Sequence, residues 1–238
     1  MQQAVNAELA AERSDHSLWL YRESDKRPGD DVLQWVAETN TANVIRVLEK
    51  NGNRLPIDEQ RRHVMQFIHD PGAQAKQRAN GEHDDNQAEA LLRMLPAAFR
   101  WSIVNTTQTT TTLQFQPNSG FHPPTREARV FAAMAGEMVV ENAHHRIRTF
   151  EGRMIHDVTF GLWGILGKLD AGGNFDVERR ETGEGVWQIT QTHVHIQGHA
   201  LLFKTISEQE DDVRSDFRRL PNGTDLQQAA DLLMQQPE

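Results

Sequence analysis

Histidine is the residue type that most readily suggests chemistry in this chain, which contains 11 of them. His193 and His195 alternate within a strand-like run, so their imidazoles would share one strand face about 7 Å apart, and His199 follows closely. Such a set could hold zinc or copper if a carboxylate joined it. The intervening Val194 and Ile196 favour a simpler arrangement, in which the two apolar side chains face the core and the histidines face solvent. We therefore predict no metal site.

Carboxylates and serines offer no better candidates for catalysis. General acid–base catalysis needs carboxylates that converge in a pocket with shifted pKa values. The acidic residues of the central region instead lie near turns or strands, where they suit turn formation or pairing with arginine: Glu141, Asp157, Asp170 and Asp176. No serine lies in a Gly-x-Ser-x-Gly elbow, and the glycines at 161, 164 and 167 do not have the spacing of a phosphate-binding loop. We predict a protein without catalytic residues and without a cofactor.

The third candidate feature is apolar. The stretch Phe160-Gly-Leu-Trp-Gly-Ile-Leu-Gly167 crowds large side chains between polar, strand-like segments. It suits a hydrophobic plug that closes one end of the core. It also suits a mobile lip over an apolar cavity, because glycine supplies hinge freedom while tryptophan and leucine supply contact area. Several tryptophans on predicted strands would extend such a cavity into a groove. The ligand-binding candidates are Trp101, Phe115, Phe160, Leu162, Trp163, Leu166 and Trp187.

Antiparallel strands are the elements that would position these residues. Alternating segments between turn residues predict three strands within 18–50, and further strands at 99–115, 138–150 and 174–208. Met154, His156, Val158 and Phe160 fall at period two and predict one more strand. These segments together indicate an antiparallel meander.

Helical periodicity accounts for the remaining segments. It predicts helices over 4–13 and 226–233, and a third that begins after Thr125 as N-cap and stops at Gly136. Two more helices occupy 57–96, with a polar stretch at 76–87 that is a solvated helix face or a loop. No linker divides the chain. We therefore predict an α+β fold in a single domain, 1–238, with a helical insertion at 57–96.

Composition excludes several classes of partner. The net charge of -9 and the pI near 5.7 argue against a nucleic-acid backbone or an anionic membrane surface. No apolar run approaches the roughly 20 residues of a membrane helix. The chain has no cysteine, which excludes disulfides and thiol chemistry. Its start, Met1-Gln2-Gln3, is not a signal peptide. The protein is therefore either cytosolic or a secreted protein whose signal has been removed.

A family resemblance narrows these alternatives. The segment Met138-Val-Val-Glu-Asn-Ala-His-His-Arg-Ile-Arg-Thr-Phe resembles a hairpin of LolA-like periplasmic proteins, and the runs from Val186 and Ile196 resemble the return strands that follow it. The resemblance implies a strongly curved antiparallel sheet, an unclosed half-barrel with helices packed on its concave face. It also implies a periplasmic location and a lipid or lipoprotein ligand. The resemblance does not assign a functional role to any individual residue of this chain.

The leading hypothesis is a non-enzymatic periplasmic protein that binds a lipid, acyl chain or lipoprotein between sheet and helices. The alternative is an interaction or sensor protein of the cell envelope, with a filled core, no small ligand, and envelope proteins as partners. A metal-dependent enzyme is a third hypothesis, which elemental analysis of the purified protein would test. None of the three involves nucleic acid.

Overall fold

A computed structural model describes residues 1–160, 167–183, 185–200 and 204–238. Within these residues the fold is α+β, with five helices and a large antiparallel sheet that does not close into a barrel. The predicted fold class is confirmed at this level. None of the described helices is both long enough and apolar enough to span a membrane.

Five helices and 13 strands follow one another along the described chain. The helices are α1 (Gln2–Ser14), α2 (Ile57–Ile68), α3 (Pro71–Ala98), α4 (Arg126–Phe131) and α5 (Leu226–Met234). The strands are β1 (Leu18–Arg27), β2 (Asp30–Ala37), β3 (Val44–Lys50), β4 (Asn53–Arg54), β5 (Phe99–Thr106), β6 (Thr110–Pro117), β7 (Met134–Glu141), β8 (Ile147–Met154), β9 (Val158–Phe160), β10 (Gly167–Leu169), β11 (Asn174–Gly183), β12 (Val186–Ala200) and β13 (Lys204–Leu220). Hydrogen bonding orders them β4-β3-β2-β1-β13-β12-β11-β8-β7-β6-β5, with β9 and β10 paired beside this path.

Contacts divide the chain into two compact units. Unit 1 comprises Met1–Ser14 and Ala88–Glu210, and unit 2 comprises Asp15–Gln87 and Asp211–Glu238. The sequence predicts one domain. The chain passes between the units at three points, of which one lies in the short connection after α1, one within α3 and one within β13. The last two lie inside regular elements and not in linkers, so composition does not reveal them. The helical insertion at 57–96 is observed as α2 and most of α3, and the polar stretch at 76–87 is helical.

An aromatic cluster forms the core of unit 1. Phe115 is fully buried, and its ring lies 4.7 Å from that of Phe99 and 5.3 Å from that of Phe150. Phe150 in turn contacts Phe175 at 4.8 Å. Rings at such separations attract one another beyond the gain from apolar burial. The chain of contacts thus ties together β5, β6, β8 and β11.

Buried charges hold α1 against the sheet of unit 1. Glu8 accepts hydrogen bonds from Arg146 Nη2 at 3.0 Å and from the Ile147 backbone N–H at 2.6 Å, and it also pairs with Arg179. Burial, the largest influence, raises the pKa of Glu8, but the arginines outweigh it and hold that pKa below its ordinary value. Val5, one turn earlier on α1, packs into the apolar core.

Two local predictions for unit 1 are wrong. Gly136 lies within β7 instead of ending a helix, and α4 stops earlier, at Phe131. A Cβ at Gly136 would lie 2.0 Å from the Glu151 carbonyl oxygen, so glycine permits a close approach of β7 to β8. The residues from Met154 to Phe160 do not form one strand, because β8 ends at Met154 and β9 begins at Val158.

The sheet of unit 2 has one apolar and one polar face. Leu20, Trp35 and Val44 belong to the apolar face, against which α2 and α5 pack. Arg46 is buried on this side, where it donates to Gln60 Oε1 at 2.7 Å and to the carbonyl oxygens of Leu233 and Gln236, each at 2.8 Å. Carbonyl groups at a helix C-terminus suit a cation, so Arg46 fastens the end of α5.

Candidate functional site

A cleft of about 460 Å³ opens on the polar face of the unit 2 sheet. Its floor comes from β1, β2, β3 and β13, one wall from the loop between β2 and β3, and the other wall from α3. The volume is typical of pockets for small molecules. The lining residues are Tyr21, Glu23, Val36, Thr39, Asn40, Thr41, Ala42, Asn43, Ile45, Gln77, Arg78, Asn80, Gly81, Glu82, Asp84, Asp85 and Arg214.

Strand register explains the polar floor. Side chains alternate between the two faces of a strand, so Tyr21 and Glu23 point away from the apolar face that contains Leu20. Arg214 lies directly opposite Glu23 on the neighbouring strand, and Asp212 lies two residues further along on the same face. Residues from opposite ends of the chain thus meet across β1 and β13.

Arg214 is the hub of a network of ion pairs at the floor. Its Nε lies 2.9 Å from Glu23 Oε1, and its Nη2 lies 2.9 Å from Asp212 Oδ2. Gln34 Nε2 donates to the other oxygen of Glu23 at 2.5 Å. One guanidinium therefore faces two buried carboxylates, and in the described residues Asp212 Oδ1 has no hydrogen-bond partner. The floor thus carries an excess of negative charge when both acids are ionised.

Tyr21 offers a free hydroxyl in the cleft. Its side chain is 5% exposed, and its ring stacks on Phe217 with centroids 5.3 Å apart, while Arg214 lies 5.4 Å from the ring centroid. No described residue forms a hydrogen bond with the Tyr21 hydroxyl. Burial raises the pKa of Tyr21, so the hydroxyl stays protonated at neutral pH and can both donate and accept a hydrogen bond.

The first wall of the cleft is held in place by side-chain hydrogen bonds to the backbone. Thr39 Oγ1 accepts from the Thr41 and Ala42 N–H groups, and it donates to the Ala42 carbonyl. Gln77 of α3 forms two bonds with the backbone of Asn43, one to its N–H at 2.7 Å and one to its carbonyl at 3.1 Å. The first turns of α3 are therefore fastened to the β2–β3 loop.

Acidic side chains line the part of α3 that borders the cleft. Glu82, Asp84 and Asp85 are exposed, and none of them forms an ion pair with a described residue. Burial, and after it the charge of Asp84, raises the pKa of Asp85. Only Arg78 and Arg214 among the lining residues offset these acids and Glu23, so four carboxylates face two guanidinium groups. The lining thus has a formal charge of -2.

Two acids near the floor also have raised pKa values. Burial raises the pKa of Asp212 to about 6, and the charge of Glu23 adds to this effect while Arg214 opposes it. Burial likewise raises the pKa of Glu38 to about 7, although the Trp19 backbone N–H donates to Glu38 Oε2 at 3.0 Å. Carboxylates whose ionised form is disfavoured in the fold are frequent at functional sites.

These groups are suited to holding a ligand by charge and hydrogen bonds. The Thr39 hydroxyl is engaged in its turn, and Arg214 is engaged with Glu23 and Asp212. The Tyr21 hydroxyl and the carboxylates on α3 are the groups that a ligand can use directly. A ligand that matches them carries positive charge and a hydrogen-bonding group.

The ligand-binding residues predicted from the sequence lie elsewhere, in unit 1. The structure brings Trp101 and Phe115 together, with ring centroids 5.3 Å apart, and Phe160 packs against the same apolar cluster. Trp187 lies on β12, where its indole N–H is buried without a hydrogen-bond partner among the described residues. Leu162, Trp163 and Leu166 lie outside the described residues. The predicted apolar cavity stays a prediction.

The sequence singled out the histidines of β12 but not the residues of the cleft. His193 and His195 are half-buried on β12, and within the described chain no group of three His, Cys, Asp or Glu side chains could hold a metal ion. The sequence alone did not point to Tyr21, Glu23 and Arg214. The only signal for them was the alternation of Tyr21 and Glu23 with apolar Leu20 in a predicted strand, which gives that strand a polar face.

Comparisons with family models, with curated proteins and with solved structures found no match for this chain. The resemblance to LolA-like proteins therefore stays a prediction.

Proposed function

We propose that this protein is a non-enzymatic binding protein that takes a small cationic ligand, an aliphatic amine or a guanidinium compound, in the cleft of unit 2. The observation that carries the proposal is the acidic lining of this cleft, in which four carboxylates face two guanidinium groups, with the Tyr21 hydroxyl beside them. An ammonium group supplies the donor that this hydroxyl and the nearby carboxylates lack.

Charge supports the same ligand class. Each ion pair formed with an exposed side chain is worth about 0.2–1 kcal/mol. Three carboxylates of α3, at 82, 84 and 85, would together improve the affinity for a polycation by about tenfold. Relief of the repulsion between Asp84 and Asp85 adds to this gain. An anionic ligand of the same size would meet net repulsion.

Isothermal titration calorimetry with spermidine tests the proposal on the full chain. We expect saturable binding to the wild-type protein that weakens as salt is added, because exposed charges are screened. The triple variant Glu82→Gln, Asp84→Asn, Asp85→Asn should bind about tenfold more weakly. Tyr21→Phe should bind about fivefold more weakly, since a single hydrogen bond contributes about 1 kcal/mol. Citrate, as an anion of similar size, should not bind.

A matched control separates the cleft from the overall charge. The variant Asp31→Asn, Glu49→Gln, Asp231→Asn removes the same number of negative charges from unit 2 at positions that do not line the cleft. It should bind spermidine as the wild type does. Equal losses in the two triple variants, or no binding of millimolar spermidine to the wild type, would refute the proposal.

Binding of an apolar ligand is the second candidate function. Trp101 and Phe160 are only half-buried at the margin of the aromatic cluster in unit 1, which favours contact with an acyl chain. Native mass spectrometry of the protein, before and after addition of palmitate, should then show a bound species that Trp101→Ala reduces. A bare mass in both spectra would count against it. A periplasmic location belongs to this second proposal. Envelope proteins as partners belong to the alternative of an interaction or sensor protein with a filled core and no small ligand.

A further inference from the structure

The outer strand of unit 1 leaves apolar side chains uncovered. In the described part of the chain β5 pairs with β6 alone, and it ends the order of strands. Ile103 and Val104 on this strand are 68% and 54% exposed. An exposed edge with apolar side chains is a template for pairing with another strand.

Ile103 continues a buried row of the core. It lies opposite Leu113, which lies opposite Met138, which lies opposite Phe150. Directly opposite residues of neighbouring strands point to the same face, so Ile103 belongs to the core side of the sheet. Leu113 and Met138 are buried, whereas the row ends at Ile103 in solvent. A strand added beside β5 would extend this row by one more residue.

Arg100 is the one charged residue of this edge strand. Trp101 to Thr125 contains no Lys, Arg, Asp or Glu, in a chain whose net charge is -9. Strand edges are normally protected by charged residues, proline or a bulge; β5 has Arg100 near its start and a bulge between Ile103 and Asn105. Two copies of this acidic protein can therefore approach along β5 with little repulsion.

We propose that β5 is the interface of a symmetric homodimer, in which it pairs antiparallel with β5 of a second copy near Ile103. Antiparallel pairing about that position places each Ile103 against its counterpart, as a two-fold axis requires. It sets uncharged residues opposite one another between Trp101 and Asn105, and it places Arg100 opposite Thr106 of the second copy. The bulge keeps the pairing short, so the interface falls below about 1,200 Å² and the dimer is weak and concentration-dependent. This inference does not depend on the proposed ligand.

Analytical ultracentrifugation of the full chain tests the dimer. We expect the average mass to rise from 27.1 kDa toward twice that value as the protein concentration rises toward the millimolar range. Ile103→Lys should hold the mass at 27.1 kDa at every concentration, because burial would bring two ammonium groups together. Val213→Lys, which makes the same change at a side chain that is 48% exposed on β13, should leave the rise unchanged. A wild-type protein that stays monomeric would overturn the proposal, as would equal effects of the two variants.

Cross-linking tests the symmetry and does not require a charged residue to be tolerated. The chain has no cysteine, so Ile103→Cys introduces a single thiol. Opposed Cα atoms of paired antiparallel strands lie about 4.5–5.5 Å apart, within the range of a disulfide. Mild oxidation should therefore link Ile103→Cys into a dimer rapidly and leave Val213→Cys largely monomeric. Equal cross-linking of the two variants would show random collision or another interface, and would refute pairing at β5.

Discussion

Asp212→Asn should stabilise the folded protein at neutral pH, although the change removes a charge from an ion pair. Asp212 is 5% exposed, and burial raises its pKa from 3.8 to about 6. The folded state therefore binds a proton more tightly than the unfolded chain does. The stability that this group contributes is fully present below pH 3.8 and is lost as the pH rises through about 6.

The magnitude follows from these two pKa values. They differ by about 2.2, and at about 1.36 kcal/mol for each pH unit the difference corresponds to about 3 kcal/mol. Asparagine has the size of aspartate, and its carbonyl oxygen can still accept a hydrogen bond from Arg214 Nη2. The variant should gain little relative to the wild type at pH 4. It should gain about half of the full difference at pH 5 and nearly all of it, about 3 kcal/mol, at pH 7.

Urea unfolding followed by tryptophan fluorescence between pH 4 and pH 8 measures this difference. Asp31→Asn, which changes an exposed aspartate of β2, is the matched control and should follow the wild-type pH profile. The reasoning would be refuted if the stability difference between Asp212→Asn and the wild type did not change with pH. It would also be refuted if the variant were the less stable protein at pH 7.

Three further changes test other parts of the fold. Glu38→Gln should raise the free energy of unfolding by about 3 kcal/mol above pH 7 and by little at pH 4, because burial raises the pKa of this carboxyl from 4.5 to about 7. Urea titrations at both pH values check this. Glu8→Ala should lower the free energy of unfolding by about 3–5 kcal/mol at pH 7, because two arginines lose a buried partner. The loss should be smaller as the pH falls below 4.5, where Glu8 becomes protonated. An equal loss at pH 3 would contradict this prediction. Gly136→Ala should cost several kcal/mol, seen as a large fall in Tm, whereas Gly120→Ala, whose Cβ would meet only an ordinary contact at 3.6 Å, should change Tm little.

Local patterns in the sequence determined most of the secondary structure. Period-two alternation and turn residues predicted β1, β2 and β3, and helical periodicity predicted α1 and α5. Thr125 was predicted as an N-cap, and its hydroxyl accepts a hydrogen bond from the Ala128 N–H at 3.1 Å. Such features depend on residues within one or two turns of each other. The local sequence therefore contains the information that decides these strands, helices and caps.

Tertiary structure alone decided where the polar cleft lies and why Gly136 belongs to a strand. Tyr21 and Glu23 become a site only because β1 pairs with β13 in the register that sets Glu23 against Arg214. The local sequence predicts that Gly136 ends a helix, whereas in the structure the backbone of Glu151 passes close beside it. Strand register and close backbone contacts are set by the total packing of many distant residues, so no short window of sequence specifies them.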